Sequence, residues 1–181
     1  RGRAVNNNPP TAIPVLTLPV IINGQIMPGL SDKYQFHATE GQKLVVAVSA
    51  RQLIPYLPDA VPGWFQATLA LFDNEGREVA YVDDYRFHPD PVLHYKIPKS
   101  GDYVIEIKDA IYRGRDDFVY RITIGELPFV TGIFPLGSRV GDNADVTVAG
   151  WNLPTASLKP GLNGNEPGVY PVAASDKGTI S

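Results

Sequence analysis

Apolar and polar residues alternate along most of the first two thirds of the chain, in short runs separated by turn residues. In DKYQFHA, for example, Tyr34, Phe36 and Ala38 fall on one side of an extended strand, and the polar residues fall on the other. Such runs recur about every 8–12 residues, which is the pattern of a β-sandwich or β-barrel. The alternation therefore predicts an all-β fold of about eight strands without a convincing amphipathic helix.

The strands and the turns between them can be placed from the same pattern. Asn23-Gly24 in TLPVIINGQI predicts a tight turn, and so does Asp73-Asn74-Glu75-Gly76. ARQLIPYLPDAVPGW has room only for a short helical turn, because its prolines interrupt a helix. The later strands are predicted in DKYQFHA, KLVVAVSA, QATLALFD, REVAYVDD, VLHYKIP, DYVIEIKD and FVYRITIGE.

The amino-acid composition changes near Glu126-Leu127-Pro128, where Pro, Gly and Asn become frequent. We therefore expect a lead-in arm over 1–12, a β-sandwich over 13–126 and a second, partial segment over 127–181, with a weak strand signal at GVYPVAA. The chain starts at Arg1 without a Met and ends at TIS, so we expect it to be a piece of a longer protein.

Composition narrows the possible functions. The formal net charge is -3. Proteins that bind nucleic acid usually present a strongly basic face, so we expect no nucleic-acid partner. No apolar run reaches the roughly 18 residues of a membrane-spanning helix, so we expect no membrane span. The absence of cysteine removes disulfides, thiol nucleophiles and Cys-ligated zinc. No serine lies in a G-x-S-x-G context, and no phosphate-binding loop is present, so we expect no enzyme.

The run VDDYRFHPDPVLHY carries residue types that bind metals: Asp83, Asp84, His88, Asp90 and His94. The adjacent aspartates could begin a calcium site, which needs six to eight oxygen ligands. The two histidines are separated by prolines, so no helix can place them on one face for zinc. A hydrolase using Asp83, Asp84 and His88 remains an alternative. The main interpretation is an exposed loop between two strands.

Three further groups have both a structural and a functional interpretation. The charged stretch RGRDD (113–117) predicts a solvated turn in which arginines pair with Asp116 and Asp117. The alternative is that this stretch is a binding loop. Trp64 and Trp151 follow Gly residues and are expected to be packed anchors. Six aromatic residues are frequent for one region, and alternation predicts that most of them lie in the core. The alternative is that they form an exposed platform for sugars or peptides. They are Tyr81, Tyr85, Phe87, Tyr95, Tyr103 and Tyr112.

Four segments in order resemble a bacterial pre-peptidase C-terminal domain over residues from about 5 to 125. They are Asn6-Asn7-Asn8-Pro9 before Thr11-Ala12, SDKYQF, ALFDNEGREVAYVDD and SGDYVIEI. The later stretch with Phe134-Pro135, Gly137 and Gly150-Trp151-Asn152-Leu153 resembles the start of an IPT/TIG immunoglobulin-like domain. The join is similar to that in large exported proteins of planctomycete-type bacteria.

The resemblance implies a jelly-roll-like β-sandwich followed by a partial immunoglobulin-like segment. It implies a non-catalytic accessory module that binds, spaces or stabilises within a larger exported protein, in the periplasm, at the cell surface or outside the cell. The signal peptide would lie outside this fragment. Implied partners are neighbouring domains of the parent chain, and polysaccharide or extracellular protein. The alternative is a calcium-dependent carbohydrate- or protein-binding domain.

The resemblance also bears on calcium. In calcium-binding members the ligands come from the lead-in arm, matched here by Asn7 and Asn8, and from an acidic turn, matched by Asp32. The calcium candidates are therefore Asp32, Asp83 and Asp84. We expect no resident cofactor, with calcium left open.

Overall fold

The computed structural model describes residues 12–15, 17–54, 64–142, 145–158 and 166–169. The chain divides into two compact units, Arg1–Glu126 and Leu127–Ser181. In the described residues every regular element is a β-strand, so the predicted all-β class is confirmed.

The first unit is a β-sandwich of two sheets. The five-stranded sheet has the order β1-β3-β8-β5-β6, and the four-stranded sheet has the order β2-β9-β4-β7. All pairs are antiparallel except β1 with β3. The strands are β1 (Ile13–Pro14), β2 (Val20–Gln25), β3 (Ser31–Ala38), β4 (Lys43–Ser49), β5 (Ala67–Phe72), β6 (Glu78–Val82), β7 (Val92–Lys96), β8 (Gly101–Asp109) and β9 (Val119–Gly125).

The core lies between the two sheets, and alternation explains how it forms. Strand residues two apart point to the same face, so every second side chain of a strand enters the core. In β9, Tyr120, Ile122 and Ile124 are buried, as the sequence predicted. Burying these apolar surfaces is the main favourable term in holding the two sheets together. The core also contains Tyr34, Phe36, Leu44, Val46, Leu69, Leu71, Leu93, Ile105 and Ile107.

The predicted turn at Asn23-Gly24 is wrong, because both residues lie inside β2 and pair with β9. Gly24 is opposite Tyr120, and a Cβ atom built on Gly24 would clash with the Tyr120 ring. The glycine is therefore needed for the space it leaves to a neighbouring strand. Its role is packing across the sheet rather than reversal of the chain.

The two ends of the sandwich differ. One end carries the short connections 39–42, 73–77 and 97–100, including the predicted turn at 73–76. The strand registers bring the connections β2–β3 (26–30), β4–β5 (50–66), β6–β7 (83–91) and β8–β9 (110–118) to the opposite end. We call this opposite end the loop end. Most of the predicted helical turn in the β4–β5 connection, 55–63, lies outside the described residues.

The second unit contains a three-stranded antiparallel sheet of β10 (Phe129–Phe134), β11 (Val146–Trp151) and β12 (Ser157–Leu158). The rings of Phe129 and Trp151 stack with centroids 5.3 Å apart, so Trp151 is a packed anchor as predicted. Asn152 then turns the chain with a positive φ of 53°, and its side chain donates to the Leu127 carbonyl at 3.1 Å. Most of the strand signal at GVYPVAA lies outside the described residues.

Gly24→Ala tests the close approach to Tyr120. We expect the variant to lose about 1–3 kcal/mol of unfolding free energy, because the added methyl group overpacks a filled position. Urea denaturation measures the change. Gly101→Ala is the control, since its nearest non-neighbouring atom would lie 3.9 Å from the added Cβ. The control should change stability by less than about 1 kcal/mol, and equal losses in the two variants would contradict the packing role of Gly24.

Candidate functional site

Exposed apolar side chains are concentrated at the loop end. Nine large apolar side chains are exposed in the described part of the first unit, and six of them lie in loop-end connections. The other three, Ile13, Ile21 and Tyr81, lie on strands. Because a folded protein gains by burying such groups, their clustering on several loops indicates a surface that contacts something else. The six are Met27, Leu30, Leu53, Phe87, Ile111 and Tyr112.

Two of these loops are held together by backbone contacts. The Gly29 N–H donates to the Tyr112 carbonyl at 3.0 Å, and the Ile26 N–H donates to the Phe118 carbonyl at 2.8 Å. Gly114 lies so close to the Met27-Pro28 backbone that a Cβ atom there would clash with it. The 26–30 and 110–118 connections therefore form one packed layer.

A buried ion pair ties the 110–118 connection to the start of β5. Asp109 is 0 % exposed, and the Arg113 guanidinium donates to both of its carboxylate oxygens at 2.9 and 3.0 Å. The backbone N–H groups of Gln66, Ile111 and Arg113 also donate to this carboxylate. Arg113 in turn donates to the Trp64 carbonyl at 3.0 Å. The pair thus joins the chain just before β5 to the chain just after β8.

The environment of Asp109 keeps its carboxylate charged. Burial raises the pKa of Asp109, but hydrogen bonds from Arg113 and from the backbone of Gln66 and Ile111 outweigh burial, so this pKa lies below its usual range. A lowered folded-state pKa stabilises the fold above the unfolded-state pKa of about 3.9. That contribution is lost as the pH falls through the folded-state pKa.

Asp90 braces the other two loops. Its carboxylate accepts hydrogen bonds from the backbone N–H groups of Arg51 and Gln52 at 2.7 and 2.9 Å. The Arg51 guanidinium lies 4.3 Å from the centroid of the Trp64 ring. The half-buried Trp64 therefore packs as an anchor, as predicted, and Asp90 acts as a link between the 50–66 and 83–91 connections.

Asp32 lies on the inward face of β3 and is hydrogen-bonded across the sandwich. The Tyr120 hydroxyl donates to the Asp32 carboxylate at 2.5 Å, and the Tyr34 and Tyr120 hydroxyls are 2.6 Å apart. Because Tyr120 gives its proton to Asp32, Tyr34 is the donor to Tyr120. Burial and these two hydrogen bonds raise the pKa of Tyr120, which keeps it a donor. The triad links the two sheets.

Asp83 and Asp84 are exposed just after β6 and lie far from Asp32. Asp32 is three strands away from the end of β6 in the five-stranded sheet. Three strand spacings are about 14 Å, too far for one metal ion to take ligands from both places. Among the described residues, no three His, Asp or Glu side chains are placed to hold a metal ion.

The two histidines of the same run are also separated. His88 is exposed in the loop, whereas His94 is half-buried on β7 opposite Val45. Burial, and to a lesser degree the charge of Lys43, lowers the pKa of His94. The structure therefore places Asp83, Asp84 and His88 on an exposed connection and His94 on the sheet.

Two interpretations of charged and aromatic residues need correction. Arg115 and Asp117 do form an exposed pair at 2.8 Å, but Arg113 of RGRDD pairs instead with buried Asp109. Of the six aromatic residues that were predicted to lie mostly in the core, three are exposed. One lies at a strand end, one in a turn and one in a loop. These are Tyr81, Phe87 and Tyr112.

Asp109 is not among the residues predicted above to be functional, although the sequence contains a signal for it. Tyr103, Ile105 and Ile107 occupy the inward positions of β8, and continuing the same alternation by two residues reaches Asp109. An acidic residue in the inward phase of a strand indicates a buried carboxylate that requires a cationic partner. Arg113, four residues later, is that partner.

Asp109→Ala tests the buried pair. We expect a loss of about 3–5 kcal/mol in unfolding free energy, because Arg113 is left without its buried partner. Asp117→Ala removes an exposed Arg–Asp pair of similar length and should cost under about 1 kcal/mol. Urea denaturation at neutral pH measures both variants. Similar losses would show that the Asp109 pair contributes no more than a surface pair.

Calcium can be tested by thermal unfolding in EDTA and then in millimolar calcium. We expect equal midpoints, because Asp32 is engaged by Tyr120 and no third acidic or histidine side chain among the described residues is placed to complete a site with the exposed aspartates. Binding to the native state would raise the midpoint by mass action. A rise that disappears in Asp83→Ala, but not in Asp32→Ala, would contradict the expectation and locate the site in the 83–91 connection.

Comparison with known proteins gives similarity of structure only. No protein-family model matches the chain, and no curated protein matches it. The pre-peptidase C-terminal domain of a Bacillus anthracis collagenase is 18 % identical, with a TM-score of 0.45 over 66 % of this chain and 99 % of that one. PliG from Aeromonas hydrophila, a periplasmic inhibitor of g-type lysozyme, is 16 % identical, with a TM-score of 0.47 over 64 % and 95 % of the chains.

PliG from Salmonella Typhimurium is 22 % identical, with a TM-score of 0.42 over 64 % of this chain and 98 % of that one. In the part of the chain that the structure describes, no helix has the length and apolar character needed to cross a membrane.

Proposed function

We propose that the first unit is a non-catalytic binding module of a larger exported protein, and that the loop end is its binding surface. The observation that carries this proposal is the clustering of six exposed apolar side chains on loop-end connections. The opposite end is formed by short turns. A rigid sandwich that presents apolar side chains on several loops at one end is a common arrangement for recognition.

The bracing of the loops supports binding over a purely spacing role. Asp109 and Asp90 fix the ends of the connections, and backbone hydrogen bonds join the 26–30 and 110–118 segments. A surface that is already ordered loses less conformational entropy when it binds. A spacer would not need exposed apolar groups, which favour aggregation when they have no partner.

The placement of the acidic residues supports a non-catalytic role. Asp32, Asp90 and Asp109 each accept hydrogen bonds from protein donors that hold the fold together. General acid–base chemistry needs carboxylates positioned towards a substrate, usually in a concave site. Asp83 and Asp84 are both exposed on a connecting loop.

The resemblance to pre-peptidase C-terminal domains supports an exported location and an extracellular polymer or protein as the partner. The second unit is proposed to be part of an IPT/TIG-like domain, as in exported planctomycete-type proteins. Calcium-dependent binding through Asp83 and Asp84, which are both exposed at the loop end, is the alternative that the thermal unfolding in EDTA and calcium tests.

The proposed function can be tested by co-sedimentation with peptidoglycan, chitin, cellulose and gelatin particles. We expect the chain to bind at least one polymer, and Leu30→Ser/Ile111→Ser to weaken that binding about tenfold or more, because two apolar contacts are lost. Ile21→Ser is the control, since Ile21 is exposed on β2 away from the loop end. Release of soluble fragments from the polymer is measured in the same tubes.

Three results would contradict the proposal in different ways. Equal binding by the loop-end variant and the control would place the binding surface elsewhere. Release of soluble fragments that Asp83→Asn abolishes would identify a hydrolase. No binding to any of the four polymers would favour the spacing role.

A further inference from the structure

The 83–91 connection contains a tight turn with an unfavourable choice of residues. Tyr85 and His88 exchange both backbone hydrogen bonds at 2.9 Å, which leaves a two-residue loop of Arg86 and Phe87. Both of these residues have positive φ, 50° and 70°. Positive φ at both central positions is the backbone of a type I′ turn, which strongly favours Asn-Gly. We call residues 85–88 the Phe87 turn.

A large side chain in this conformation costs stability. The left-handed region brings Cβ close to the backbone carbonyl, and a bulky residue there is an outlier unless its surroundings enforce it. At the opposite end of the sandwich the turns reach positive φ at Gly41 and Gly76 instead. At the loop end Gly29 also has a positive φ, of 73°, whereas the Phe87 turn retains two large side chains.

The strained turn projects an aromatic ring into solvent. Phe87 is fully exposed, at 103 % of its reference area. The chain that follows the turn is held in place by hydrogen bonds. The Asp90 carboxylate accepts hydrogen bonds from the backbone N–H groups of Arg51 and Gln52, and the Pro91 carbonyl accepts one from the Val48 N–H. The ring therefore contributes nothing to the core of this chain, while the loop that carries it is firmly attached.

The charges around the ring indicate what it contacts. Asp83 and Asp84 are exposed on the strand side of the turn, whereas the Arg86 guanidinium lies over the Tyr85 ring, 5.5 Å from its centroid. Two exposed carboxylates thus precede Phe87 by three and four residues, and the neighbouring Arg86 is engaged with Tyr85. A partner surface of complementary charge would carry Lys or Arg beside the pocket for the ring.

We propose that Phe87 is the anchor by which the loop end docks on a partner protein, with its ring in an apolar pocket whose rim is cationic and faces Asp83 and Asp84. This inference rests on the proposed binding role of the loop end and names its partner class. A single ring on a convex turn gains most from a concave pocket, since only a pocket removes the whole ring from water.

Other partners fit this turn less well. The two aspartates would be repelled by an anionic membrane surface, and one ring buries too little apolar area for stable membrane attachment. Flat stacking on a polysaccharide would use one face of the ring. It would leave the strained projection of the whole side chain without a purpose.

The test uses cyclodextrins as model pockets, because their apolar cavity accepts a phenyl ring and their rim can be charged. NMR titrations of the full chain compare amino-, neutral and carboxymethyl-β-cyclodextrin. We expect perturbation of the Phe87 ring by all three, with the amino form several-fold tighter than the neutral one and the carboxymethyl form weakest. Added salt should reduce these differences.

Matched variants assign the effect to its parts. Phe87→Ala should lose the cyclodextrin response, whereas Ile111→Ala, which removes another exposed apolar side chain, should keep it. Asp83→Asn/Asp84→Asn should keep binding and lose the preference for the amino form. Arg86→Asn/Phe87→Gly should raise the thermal midpoint by about 4–8 °C, because the strain is relieved.

The outcomes separate this inference from the function on which it rests. An unperturbed Phe87 ring, equal affinity for the three cyclodextrins, or no rise in midpoint for the Asn-Gly variant would each overturn the inference. So would flotation with phosphatidylcholine/phosphatidylglycerol vesicles that Phe87→Ala abolishes, since this identifies a membrane. The polymer assay would still decide the proposed function, because its variant changes Leu30 and Ile111 on other loops.

Discussion

The inward register of β8 continues beyond its apolar residues, and it carries the Asp109 carboxylate into the core. A buried charge is costly unless it is paired and hydrogen-bonded, so the chain around it has to supply donors. Arg113 and the backbone N–H groups of Gln66 and Ile111 provide them. Because these donors belong to two different connections, one carboxylate holds the end of the first, at Gln66, and the start of the second, at Ile111 and Arg113.

The same principle operates at two other points of the loop end. Asp90 accepts from the chain that leaves β4, and Asp32 accepts from Tyr120 in the opposite sheet. Asp32 and Asp90, whose residue type suggested metal binding in the sequence, therefore act as cross-links, as Asp109 does. Asp90 and Asp109 hold loops in place and Asp32 joins the two sheets, which leaves the exposed apolar side chains as the groups that can contact a partner.

Much of the fold could be predicted from the sequence, because alternation is a local property. It located β3 to β9 of the first unit, and the inward residues of β9 followed directly from it. Asn23-Gly24 was misread because turn preference is also local, whereas the need for Gly24 comes from Tyr120 on another strand. No local pattern contains that contact.

The site was harder to predict for a related reason. Alternation alone predicts that Asp32 and Asp109 point inward. Acidic residues are generally expected at the surface, however, so their residue type argued against the inward position that alternation gives them. The partner of Asp32 lies 88 residues away along the chain, a distance that no spacing rule covers. The exposure of Phe87 was also missed, because it lies in a two-residue turn where the alternation of β6 has already ended.

The non-glycine residues with positive φ mark a further difference between the two ends of the sandwich. In the described part of the first unit, the non-glycine residues with positive φ are Arg86, Phe87 and Tyr112, all at the loop end. Glycine or asparagine at these positions would fit the backbone better. The Tyr112 hydroxyl accepts a hydrogen bond from Lys108 at 2.7 Å, whereas the Phe87 ring is fully exposed, so packing within the fold does not explain Phe87. Strain that persists in a well-braced region is typical of sites whose side chains serve a contact outside the fold. The bracing by Asp109 and Asp90 is what allows the loop end to tolerate that strain.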